Sequence, residues 1–294
     1  MFLQQLINGL TLGSIYALIA LGYTMVYGIL EFINFAHGEI YMVGAYLGLA
    51  MMYILNNTFL SHNPLLLISL TFLFSMLAIA GLGVIIEKVA YKPLRNTGRL
   101  VPLITALGIS IFLQNAVMII AGSEKKSYPQ LFPSGGFNIG DARITYLQIF
   151  IIIGSILLML LLNIFIKNTK LGKAMRATAQ DRRTASLMGI NVDKIISTTF
   201  FIGSALGAAA GIMVGMYYRE VNFYMGYLSG IKAFTAAVLG GIGNIPGAMF
   251  GGIILGVLES VGTGIISAEY KDIFAFTILI LVLIFKPSGL FGKT

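Results

Sequence analysis

Six apolar runs of about 20 residues or more divide this chain: Gln5–Leu30, Phe35–Leu55, Leu65–Ile86, Leu100–Ala121, Tyr146–Ile166 and Ile195–Tyr217. Each is long enough, at about 1.5 Å per residue, to cross a hydrocarbon layer about 30 Å thick. A segment in lipid has to satisfy its own backbone hydrogen bonds, so such runs fold as helices. Two further stretches follow: Ile231–Gly262, interrupted at Gly240–Gly247 (GGIGNIPG), and Asp272–Phe285. The pattern predicts an all-α, polytopic membrane helix bundle of about eight to nine spans, forming a single transmembrane domain over residues 1–294.

Composition supports that class. Hydrophobic residues make up 57% and charged residues 10%, against about 25% charged in soluble domains. The net charge of +8 sits in the breaks between runs. Membrane topology explains it better than nucleic acid does. With no Cys and two His, neither a disulfide nor a structural zinc site is expected. No Lys or Arg precedes the first run, so that run is expected as a retained helix rather than a cleaved signal.

The longest polar run is Lys167–Lys194 (KNTKLGKAMRATAQDRRTASLMGINVDK), with seven Lys/Arg against Asp181 and Asp193. A basic loop between spans stays in the cytoplasm. Glu87–Arg99, carrying Lys88, Lys92, Arg95 and Arg99 against one acid, is the second such loop. Counting back places the N-terminus outside. It also places outside the Gly/Pro/Ser-rich segment Gly122–Thr145, expected to hold a small hairpin, and Arg219–Gly230, a short loop. Asn56–Pro64 is expected as a turn. A tail with Lys286 and Lys293 inside requires an odd number of crossings. Ile231–Gly262 is then two crossings, or one plus a re-entrant segment. From Leu171 to Gly189 the residues favour one short helix, with Ala174, Thr178, Asp181, Ala185 and Met188 on one face. A small-residue face with charged flanks suits a protein partner.

Glycine recurs every four residues at Gly203, Gly207, Gly211 and Gly215, and again at Gly44/Gly48, Gly9/Gly13, Gly247/Gly251 and Gly252/Gly256. Such spacing lets helices approach closely in lipid, either as a face that slides or as ordinary packing. The Gly240–Gly247 break either lines a pathway or is a tight surface loop. MVYGILEFINF (Met25–Phe35) resembles MVGMYYREVNF (Met213–Phe223). Apolar composition alone produces such matches, although many transporters contain repeats.

EFINFAHGEIYMVGAY (Glu31–Tyr46) puts Glu31, Asn34, His37 and Glu39 beside or within a span. Ionisable groups at membrane depth are costly and functional by default. The alternative is an interfacial first turn, with Asn34 as cap and Glu39 favoured by the helix dipole. Residues two apart diverge on a helix, so spacing alone does not pair His37 with Glu39. Lys232 and Glu259 are expected to snorkel to an interface. The closing GKT imitates a phosphate-binding loop, but Pro287 stands where Gly is required and no helix follows. No nucleotide site, metal site or catalytic constellation is expected, so the chain is expected not to be an enzyme. Its energy must come from a gradient or from another subunit.

LINGLTLGSIYALIALGYTMVYGILEFINFAHGEIYMVGAYLG (Leu6–Gly48) resembles the start of the LivH-type permeases of branched-chain amino acid ABC importers. LGKAMRATAQDRRTASLMGINVDK (Leu171–Lys194) resembles that family's cytoplasmic coupling loop, and Ala237–Glu259 and KPSGLFG (Lys286–Gly292) match in order. The resemblance implies an inner-membrane permease subunit served by ATP-binding cassette subunits. It also implies a second homologous permease and a periplasmic or lipoprotein substrate-binding protein, with membrane lipid around it and no nucleic acid or cofactor. It assigns Gly172, Arg176, Ala177, Asp181, Ala185 and Gly189 to ATPase docking. Asn34, His37, Gly38 and Glu39 match the second-helix signature; with Gly241, Gly243 and Asn244 of the break they are the candidate pathway residues. Arg182 and Arg183 stand where the family often has an acid or Pro. Urea and short-amide permeases carry the same motifs. Two other classes stay open from the residues: a proton-coupled transporter using His37 and Glu39, and a passive channel at the Gly-rich break.

Overall fold

Lipid accepts apolar surface, so the most apolar spans stay outermost, and the small residues that let helices approach closely set the centre of the bundle. In the computed structural model, which describes residues 2–57, 63–95, 97–98, 100–133, 135–267 and 270–292, helices α1 (Phe2–Leu30) and α8 (Val192–Tyr218) are the most enclosed spans. Around them lie α2 (Ala36–Asn56), α3 (Pro64–Ile86), α4 (Leu100–Ala121), α5 (Tyr146–Asn168), α6 (Lys170–Gln180) and α7 (Arg182–Leu187). Then come α9 (Met225–Gly240), α10 (Ile245–Ile265) and α11 (Lys271–Phe285). A π-turn at Glu87–Tyr91 and a 3₁₀ turn at Lys92–Leu94 prolong α3. Residues 58–62 of the expected turn, Arg99 of the second basic loop, and Lys293 and Thr294 lie outside the described residues.

Seven helices are long and apolar enough to cross a membrane. The helices α9 and α11 have 16 and 15 residues, about 22–24 Å. Helix starts follow the chemistry of their first residues. Asn63, Thr145, Thr169, Asn191 and Asn244 each accept a backbone N–H from the first turn of the helix they precede. Each such cap is worth about 1 kcal/mol.

The two ends of the bundle differ in chemistry. At one end Lys92 and Arg95 pair with Asp193 at 2.7 and 2.6 Å, which brings the two basic segments together. At the other, a hairpin of β2 (Gly136–Ile139) and β3 (Ala142–Thr145) forms as expected. There β1 (Lys126–Ser127) pairs with β4 (Glu220–Val221), a contact the sequence did not signal. Gln4 in α1 accepts the Arg143 N–H at 2.8 Å, so the N-terminus lies at the hairpin end. The positive-inside rule makes the basic end cytoplasmic. The expected outer loop Arg219–Gly230 is shorter than that: α9 begins at Met225.

Close approach of backbones decides the main helix contact, α1 against α10. A Cβ at Gly256 would overlap the Gly13 backbone, and one at Gly252 would overlap Ala17. In α8, Gly203 faces Gly22, Gly207 faces His37 and Gly211 faces Tyr41 and Ala45.

The similarity of Met25–Phe35 to Met213–Phe223 extends to geometry. Aligned residue for residue, Glu31 corresponds to Arg219, and these are the two non-glycine residues with positive φ among those described, at 57° and 58°. Each ends a long central helix and turns the chain back along it before a shorter helix begins. The directions are opposite: α1 runs inward and α2 outward, α8 outward and α9 inward. The first turn of α2 meets that of α9, where a Cβ at Gly38 would overlap the Gly226 carbonyl oxygen. Both shorter helices therefore start inside the bundle, half-way along α1 and α8, as an inverted pair.

Candidate functional site

The turn at Glu31–Phe35 carries four candidate pathway residues into the bundle. Asn34 is buried and its Oδ1 accepts the Tyr91 hydroxyl at 2.6 Å. It does not cap α2; Phe35 holds the cap position without a side-chain bond. The interfacial reading is thus corrected, because His37 and Glu39 are each 1% exposed. Their side chains diverge, as their spacing requires. The His37 ring packs edge-on to Tyr23 at 5.0 Å and against Gly22. The Glu39 Oε1 accepts the Ser110 hydroxyl of α4 at 3.3 Å, and Oε2 lies against Gly226 of α9. Asn34 Nδ2, His37 Nε2 and Glu39 Oε2 have no hydrogen-bond partner among the described residues. Each such orphan costs about 1–3 kcal/mol, so three together are unusual.

Gly241, Gly243 and Asn244 are not part of this cluster. They form a four-residue turn at the basic end, between α9 and α10, with positive φ at both glycines. The C-terminal tail straps the turn. Leu290 N donates to Leu239 O at 2.8 Å, and Asn244 Nδ2 to Phe291 O at 2.7 Å. That accounts for the KPSGLFG motif, whose Gly289 has φ 77° beneath Gly241.

The basic segment is an elbow of two helices rather than one. Asp181 is extended (φ −156°, ψ 111°) and ends α6. Its carboxylate accepts the N–H groups of Arg183 and Thr184 and the Thr184 hydroxyl, capping α7. Those bonds hold its pKa below the usual Asp range. The single face expected from Ala174 to Met188 is therefore split, with Thr178 buried and Met188 79% exposed. Between the two helices lies a groove of about 310 Å³, with Ala177, Asp181, Ala185, Met188 and Ile190 in its walls. Leu187, 81% exposed, stands beside it. Gly189 ends α7 at φ 82°, and Ile190 N returns to Ala185 O at 3.1 Å. Gly172 packs against the backbone of Ile166, which sets the α5–α6 bend. Arg176 shares a small cavity with Gly243.

Arg182 ties the elbow to the end of α1. Its Nε donates to Ile29 O at 2.6 Å, at the end of α1. Nearby, Glu87 is buried, bonded by Arg95 and by the Ser197 hydroxyl at 2.6 Å. Ile29 lies 153 residues from Arg182 and Ser197 lies 110 from Glu87, so local spacing carries no trace of these contacts. The same holds for Lys232 and Glu259, which do not snorkel. Lys232 Nζ lies 3.0 Å from Glu259 Oε1 and 2.6 Å from Asp272 Oδ1. Lys271 Nζ is 3.2 Å from the same Glu259 oxygen, and the Tyr16 hydroxyl donates to it at 3.1 Å.

Residues 5–283 match the family model described as branched-chain amino acid transport system / permease component. The chain is 50% identical to the high-affinity branched-chain amino acid transport system permease protein BraD of Pseudomonas aeruginosa, over 99% of this chain and 96% of that one. It is 49% identical to the corresponding permease protein LivH of Escherichia coli (strain K12), with the same coverage. The solved structure of PsaBC from Streptococcus pneumoniae in complex with Fab shares the fold, at a TM-score of 0.52 and 14% identity over 98% of this chain and 93% of that one.

Proposed function

The chain belongs to the family of permease components of branched-chain amino acid transport systems, and we propose from that premise that it is the membrane-spanning subunit of an ATP-driven importer of branched-chain amino acids. It is a multi-pass inner-membrane protein of a family of transport components rather than enzymes. The observation that carries the mechanism is the elbow: an exposed groove with apolar Leu187 and Met188 at its tip, on the basic, cytoplasmic end. An ATP-binding cassette subunit fits there. Ala177, Asp181 and Ala185 would line the contact, Gly172 and Gly189 would fix the two bends, and Arg176 would face the inner turn. The solute would pass the cluster of Asn34, His37, Gly38 and Glu39. The turn of Gly241, Gly243 and Asn244 would border the inner mouth, beside Arg176. A second homologous permease and a substrate-binding protein complete the assembly.

The test is reconstitution with the cognate ATPase and binding-protein subunits. Leucine uptake should require ATP and all subunits, and exceed uptake of urea or acetamide. Uptake that persists without the ATPase would end this reading. The double variant Asp181→Arg, Gly189→Leu removes the α7 cap and forces a β-carbon into a left-handed residue. Membrane insertion should be normal, with co-purifying ATPase reduced at least five-fold. Normal co-purification would remove the elbow as the docking site.

A further inference from the structure

We propose that the outer cavity at the start of α9 holds the transported solute as a zwitterion before it reaches the Gly38–Gly226 crossing; this rests on the importer reading above. The cavity has a volume of about 270 Å³, enough for one small amino acid, and lies between α1, α8, α9 and α11. Its charged lining is Lys232, Lys271, Glu220 and Asp272. These are two cations and two anions. Their further partners, Lys125 on Glu220 and Glu259 on the lysines, preserve the balance.

A balanced set discriminates by net charge. An anion entering it leaves the carboxylates uncompensated, and a cation leaves the ammonium groups so. Next to the buried Lys232 and Glu259 either imbalance is expensive. A zwitterion exchanges with an existing pair at no change in net charge. The pair able to open is Lys232–Asp272, at 2.6 Å. Lys232 is 6% exposed and keeps Glu259 at 3.0 Å, whereas its other partner Asp272 is 45% exposed, and Lys271 nearby is 30% exposed. The solute carboxylate would take the place of Asp272 on Lys232, beside Lys271, and its ammonium would face Asp272. The positive end of α9, which opens at Met225 on the cavity wall, favours the same carboxylate. Leu12, Val214 and Leu228 give the apolar wall that a branched side chain needs.

The inverted repeat supplies an independent parallel. Beneath the other positive-φ turn, on the cytoplasmic side, is a second cavity of about 340 Å³. Its charged lining is Glu31, Asp181, Arg95 and Arg182, again two of each sign. The glycine crossing lies between the two.

The experiment uses the complete transporter in lipid nanodiscs, with ATPases, second permease and binding protein, and a diazirine analogue of leucine as probe. After irradiation during turnover, cross-links should map to Leu12–Tyr16, Val214–Tyr218 or Met225–Lys232. Excess leucine should remove them. Isoamylamine and isocaproate, each lacking one charge, should not. Asp272→Asn and Lys271→Gln should each lower labelling and saturated uptake at least ten-fold without loss of co-purifying ATPase. Cross-links confined to other segments, equal competition by a singly charged analogue, or unchanged labelling in both variants would overturn the proposal while leaving the importer reading intact. A wild-type complex that takes up no leucine would overturn both.

Discussion

Replacing Lys232 with Met should destabilise the protein by about 3 kcal/mol, and adding Glu259→Met should recover most of that loss. Removing one partner of a buried ion pair typically costs about 3–5 kcal/mol, because the other charge is left without compensation. The lower end applies here, since Glu259 keeps Lys271 at 3.2 Å and the Tyr16 hydroxyl. In the double variant both charges are gone from the pair and two apolar side chains fill the space. Reversible unfolding in mixed micelles measures all three proteins. Equal loss in the single and double variants would mean that packing, rather than uncompensated charge, governs this contact.

Gly38→Ala should be strongly damaging for the addition of a single carbon. The added Cβ would overlap the Gly226 carbonyl oxygen and crowd Gly230, both backbone and unable to move aside. Overpacking costs about 1–3 kcal/mol where side chains yield; here two helix ends must separate. A loss above about 2 kcal/mol is expected, together with at least ten-fold lower uptake. Gly81→Ala is the counterpart of opposite sign. It lies within α3 with nothing near its Cβ position. Relief of glycine's helix penalty should raise stability by about 0.5–1 kcal/mol. If both variants behave alike, the crossing of α2 and α9 is looser than described.

What the sequence made legible follows from range. Span positions rest on hydropathy summed over about 20 residues, and the starts and ends of α1–α5 and α8 agree within a few positions. The hairpin after α4 rests on local turn chemistry and was equally readable. The elbow is hidden in the sequence because Asp181 stands in a run of helix formers, and its capping role appears only once Thr184 folds back on it. Lys232 looked like an interfacial lysine because Glu259 is 27 residues away and Asp272 further still. Arg182 was a charge in a basic run, and nothing local joins it to Ile29. For the inverted pair the signal is present in the match of Met25–Phe35 with Met213–Phe223, but apolar matches are too common to weigh alone. The shared backbone conformation at Glu31 and Arg219 gives the match its meaning.

That inverted pairing has a consequence for biogenesis. The same unit occurs twice with opposite sidedness, so its own sequence cannot say which way it faces. The first copy shows this directly, for no Lys or Arg occurs before Lys88. Helices α1 and α2 thus thread without a basic residue of their own. Their final sidedness is dictated from downstream, by the lysines and arginines that lie between the copies.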